Sequence, residues 1–138
     1  MIALDTNLLV RFLVQDDPEQ ARIADALFDQ LTDAEPGYVC REVLVELVWV
    51  LERAYGYARS DIAATLDGLL SSVELVIETG EDVGRAVERY RNEGFGFADL
   101  MIAAAARRSG ASELVTFDRK AARLPGARLL TGQTPSNL

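Results

Sequence analysis

Short apolar runs alternate with longer stretches whose apolar residues recur at three- and four-residue spacing, and this alternation narrows the folds open to the chain more than any other feature. The short runs fall at residues 2–5, 38–40, 73–77, 113–117 and 127–130. Each is too brief for a helix and suits a strand buried between layers. Between them lie helical patterns. Residues 8–14 make a helical turn, and a second helix follows in which Asp17 is a candidate N-cap and Pro18 stands where a first turn tolerates proline. Its apolar positions are Ala21, Ile23, Ala24, Leu27, Phe28 and Leu31, and Pro36-Gly37 ends the unit. Further helices are expected at about 41–54, 60–70, 82–92 and 97–109, with breaks at Gly56, at Gly94-Phe95-Gly96 and at Gly110. Strand and helix in turn imply an α/β chain: a central, mostly parallel sheet with helices on both faces.

The chain has 138 residues, which suits one domain with a sizeable core, expected over 1–131 with a frayed tail at 132–138. No apolar run approaches the roughly 20 residues of a membrane-spanning helix, and no signal-peptide pattern opens the sequence. Cys40 is the one cysteine, so no internal disulfide forms and a reducing, cytoplasmic setting is expected. The sequence holds no histidine. That removes Ser-His-Asp and Cys-His catalysis and the common histidine-bound zinc sites, leaving oxygen ligands and a hard cation such as Mg²⁺ or Mn²⁺ for any metal. The 14 basic against 22 acidic residues give a net charge of −8, which opposes nucleic-acid binding unless some acids cluster on bound cations.

Four acids stand out by position. Asp5 and Asp118 each close an apolar run. In a parallel sheet both would therefore lie at the carboxyl edge, where α/β folds bind ligands. Glu46, in REVLVELVWVLERA, falls on the border of an apolar helical face, beside Val50. Asp99 lies in the first turn of FADLMIAAAA, a helix expected to be buried and central, where the helix dipole favours its ionised form. Each has a structural alternative: a cap at Asp5, a first-turn acid at Asp99, a rim residue at Glu46, a turn residue at Asp118. Taken together, closely placed carboxylates repel unless a cation intervenes.

Four segments carry a resemblance to a known family: IALDTNLLVRFL, VLVELVWVL, GFADLMIAAAA and LVTFDRKAARLPG, in that order and over nearly the whole chain. The sequence resembles a PIN domain, and within that family the VapC toxins of type II toxin–antitoxin (VapBC) pairs. The resemblance implies a three-layer α/β/α fold. It also implies Mg²⁺- or Mn²⁺-dependent endoribonuclease cleavage of single-stranded RNA, tRNA or rRNA loops included. Carried over position by position, the family's metal-binding and catalytic acids are Asp5, Glu46, Asp99 and Asp118, with Asp5 and Asp99 as leading ligands. Thr6, Asn7 and Thr116 match its small polar residues near the site. Two positions depart from the pattern: Gly96 stands where many relatives have a further acid, and Cys40 where serine or threonine is common. The implied partners are the RNA substrate, a cognate VapB-type antitoxin filling the active-site groove, and a second copy of the chain.

Arg119, Lys120 and Arg123 form a local basic cluster after Asp118, and with Arg11 they are candidates to hold RNA phosphate. Phe12, Trp49, Tyr55 and Tyr57 are candidates for base stacking or a partner interface, with core or dimer packing favoured for Trp49. Two other function classes compete. A haloacid-dehalogenase-type phosphatase would need Asp-x-Asp at the first strand, where Asn7 takes the second position. A binding module without robust nuclease activity would keep the same fold.

Overall fold

The computed structural model describes residues 1–132; the tail expected to fray lies outside these from residue 133 onward. The element order is β1 (Ile2–Ala3), α1 (Thr6–Val14), α2 (Pro18–Gln30), β2 (Gly37–Val39), α3 (Arg41–Arg53), α4 (Arg59–Ser71), β3 (Leu75–Ile77), α5 (Gly80–Glu93), α6 (Phe97–Arg108), β4 (Leu114–Thr116) and β5 (Ala127–Leu129), with a single 3₁₀ turn at Ala121–Arg123. Every strand pairing among the described residues is parallel. With helices packed about parallel strands, the fold is the expected three-layer α/β/α type.

The ladders come in two pieces, β1-β2-β3 and β4-β5. The first strand is shorter than the sequence pattern suggests and is not a buried strand, since Ile2 is 46% exposed. Leu4 is the buried residue at this end, and its N–H still donates to the Tyr38 carbonyl at 2.8 Å. Asp5 then turns the chain into α1. Leu4 also explains Gly37: a Cβ there would meet Leu4 Cδ1 at 2.7 Å, so the two strands close only around a glycine.

The core runs from Leu4 and Leu9 through Val39, Leu44, Leu47 and Leu51 to Ile62, Leu66, Val83, Val87 and Tyr90. These come from β1–α1, β2, α3, α4 and α5, so each helix contributes one stripe and no helix is buried all round. That holds for α6 as well, against the expectation of a central, buried helix. Only Phe97, Leu100 and Met101 are buried there, while Ile102 is 52% exposed. Helix α6 packs on α5 and α3 along one side, with Ala103 partly buried against the core and Ala98 and Ala105 exposed. Trp49 is likewise not a core residue, at 58% exposure. Phe12 stacks on Phe28 with ring centroids 3.8 Å apart, tying α1 to α2.

Among the described residues, no helix is long and apolar enough to cross a membrane.

Candidate metal and RNA site

Asp5 and Asp118 are built alike. The Asp5 backbone is extended, and its Oδ1 accepts from the Leu8 N–H at 3.0 Å, capping α1. Asp118 Oδ1 accepts from the N–H of Ala121, the first residue of the 3₁₀ turn, at 2.9 Å, while the Asp118 N–H donates to the Thr116 hydroxyl at 3.0 Å. In each case the local sequence uses one carboxylate oxygen to hold a helical start, and the other is not consumed by that bond. Thr116 thus fixes the turn that aims Asp118. Thr6 is buried at the start of α1, and Asn7 lies exposed beside it.

Asp99 is half-buried in the first turn of α6. Burial, and then the nearby charge of Asp118, push its carboxyl above the ordinary aspartate range. The structure therefore brings Asp99 and Asp118, nearly twenty residues apart in sequence, into electrostatic contact. Gly96 keeps space for this carboxylate: a Cβ at Gly96 would lie 3.2 Å from Asp99 Oδ2.

Glu46 is exposed on α3 and lines a groove of about 680 Å³ between α3 and α6. Gly96, Phe97 and Ala98 line the same groove, so Glu46 shares a surface with the turn that carries Asp99. Asp5 and Asn7 line a smaller hollow of about 330 Å³ together with Arg11. Among the described residues, no three acidic side chains converge closely enough to grip a metal ion between them.

Of the four acids, none has an ion-pair partner among the described residues. The contrast is Asp82, 6% exposed, which meets Arg108 Nε at 2.8 Å, Arg85 Nη2 at 2.8 Å and Arg41 Nη1 at 3.2 Å. The bond from Arg108 and, against the opposing effect of burial, those from Arg41 and Arg85 hold its carboxyl down at about 2. Carboxylates left without a cationic side chain are the donor type that a hard divalent ion takes, and among the described residues no three of them stand close enough to form one set.

The sequence reading missed the residues that set this geometry. Arg41 binds Asp82, donates to the Met101 carbonyl at 2.7 Å and to the Thr79 hydroxyl at 2.6 Å, and so fixes α6 against α3 and α5. Arg59 donates to the Tyr90 carbonyl at 3.0 Å and the Phe95 carbonyl at 2.6 Å, pinning the turn before α6. Glu78 accepts from the Arg41 N–H at 2.9 Å and supplies the α3 cap that Cys40 does not. One signal was available. Asp82 interrupts the stripe Val83, Ala86, Val87 and Tyr90, and an acid on a buried stripe needs cations.

The basic candidates differ. Arg11 is engaged by Gln20, Asp16 and Tyr55. Arg119, Lys120 and Arg123 make no ion pair among the described residues.

The PIN domain family model matches residues 2–127 of the chain. A VapC ribonuclease from Aquifex aeolicus (strain VF5) is 29% identical over 121 residues, spanning 87% of this chain and 89% of that protein.

Proposed function

This chain belongs to the PIN domain family, and on that premise we propose that it is a Mg²⁺- or Mn²⁺-dependent endoribonuclease cutting single-stranded RNA, the toxin of a toxin–antitoxin pair. The observation that carries the reading is that Asp5, Glu46, Asp99 and Asp118 make no ion pair among the described residues, while burial and then the charge of Asp118 push the Asp99 carboxyl up. The likeness to a VapC ribonuclease over most of both chains supports the substrate class.

Asp5, Glu46, Asp99 and Asp118 are the residues that would hold the metal. The chemistry such an ion would supply there is Lewis-acid chemistry, activation of a water and relief of charge on the scissile phosphate. The chain's own part is to aim and to hold. The backbone bonds to Asp5 and Asp118 fix each carboxylate by one oxygen, Thr116 sets the Asp118 turn, and Thr6 and Asn7 stand beside Asp5. Arg119 and Lys120, uncommitted to any acid among the described residues, hold substrate phosphate, with Arg11 in a lesser part.

Partners follow from the same reading. The α3–α6 groove, with Trp49 and Ile102 in its walls and Glu42, Glu46 and Glu52 along it, suits a basic amphipathic segment of a VapB-type antitoxin. A homodimer and a cytoplasmic site of action complete the proposal. In the test, purified protein cuts single-stranded RNA in Mn²⁺ or Mg²⁺, stops with chelator, and loses cleavage on Asp99→Asn. Cleavage that persists in chelator, or in Asp99→Asn, overturns the metal mechanism.

One observation favours a second reading, a fold that binds without cutting: no three acids converge among the described residues. Full RNA binding with no cleavage in either metal would select it.

A further inference from the structure

Phe117 is the most exposed large apolar side chain on the described surface, at 79%. It lies between Thr116 and Asp118, the two residues that build one end of the candidate site. Strand alternation puts Val115, 42% exposed, on the same outward side, and Leu130, at 39%, follows the neighbouring strand β5. Nothing among the described residues covers this aromatic ring.

Its surroundings say what would. Arg119 and Lys120 follow immediately after Asp118 and make no ion pair among the described residues. Lys120 also reaches toward the turn before α6: a Cβ on Gly94 would lie 3.5 Å from its Nζ. A flat apolar face, two uncommitted cations and the Asp118 carboxylate thus come from four consecutive residues. Single-stranded nucleic acid presents the matching chemistry, an unstacked base with a phosphate on either side. A protein partner would be served by the apolar ring, yet would leave the cations without a role.

We propose that Phe117 is a stacking platform for one base of the RNA substrate, next to the cleaved linkage, with Arg119 and Lys120 holding the flanking phosphate. The inference rests on the ribonuclease reading and names a contact within it. Because Phe117 is 79% exposed on the described surface, its replacement leaves the fold intact.

The test is a binding titration in chelator, which keeps the RNA whole, using a short single-stranded oligoribonucleotide that carries a fluorescent purine analogue. Wild type quenches the analogue by stacking. Phe117→Ala weakens binding by roughly five- to tenfold, the lower end of what one stacked base contributes, and abolishes the quench. Phe117→Trp retains both. In the cleavage assay Phe117→Ala raises KM and leaves kcat nearly unchanged, since the ring does not touch the reacting atoms. Wild-type affinity and quenching in Phe117→Ala would overturn the platform while leaving the nuclease reading intact. Wild-type protein that neither binds nor cuts RNA would remove both. Should Phe117→Ala instead convert a sedimenting dimer to monomer with RNA binding unchanged, the surface is a protein interface and the proposal fails.

Discussion

Replacing Asp82 by asparagine tests whether the three-arginine node holds the site's scaffold. The carboxylate is 6% exposed and its pKa lies at about 2 instead of 3.8. A depressed folded-state pKa means that ionisation stabilises the fold. That contribution is present above the unfolded-state value and disappears as pH falls through the folded one. At about 1.4 kcal/mol per unit, the difference is about 2 kcal/mol. The substitution also strands arginines, though unequally. Arg85 and Arg108 are 62% and 55% exposed and recover water, whereas Arg41 is 16% exposed and loses its charge partner. Removing one partner of a fully buried pair costs about 3–5 kcal/mol. With only one arginine stranded here, a total of about 2–4 kcal/mol at neutral pH is expected. Urea melts of wild type and Asp82→Asn should show that gap at neutral pH and see it close between about pH 5 and about pH 2, where the wild-type carboxylate protonates. A gap under about 0.5 kcal/mol, the scale of an ordinary surface change, would refute the reasoning, as would a gap that stays constant into acid.

Arg59→Met removes two charge-assisted bonds to carbonyls and a guanidinium stacked 4.1 Å from the Tyr90 ring centre; a loss of about 1.5–3 kcal/mol is expected in the same melts. Gly37→Ala forces a Cβ into Leu4 and Leu31, lowering stability by about 1–3 kcal/mol, with the thermal midpoint as the measure. Mg²⁺ at saturating concentration should raise the thermal midpoint of wild type, because an ion that binds only the native state stabilises it by mass action. Asp99→Asn should lose most of that rise, and an equal rise in both would remove Asp99 as a ligand.

The alternation of short apolar runs and helical patterns was enough to place every main element, because strand and helix periods are local properties of the chain. Element ends were less legible. The first run reads as strand through Asp5, but Asp5 is worth more as a cap to Leu8, so the strand stops at Ala3. Helix α6 misled for a different reason: alanine is apolar enough to suggest burial and small enough to tolerate exposure, so composition alone could not say which face was covered. The acids show the same division. Asp5 and Asp118 announce themselves by ending apolar runs, and Asp99 by opening a helix. What a single sequence does not show is which acids already have cations. Asp82 and Asp99 are both carboxylates in the first turn of an amphipathic helix. One is answered by arginines from α3, α5 and α6 and serves the scaffold; the other is answered by a second carboxylate. Only the long-range partners separate an acid already met by cations from one that is not. For the same reason Phe117, an ordinary strand residue by pattern, stands out only through its exposure, 79% on the described surface.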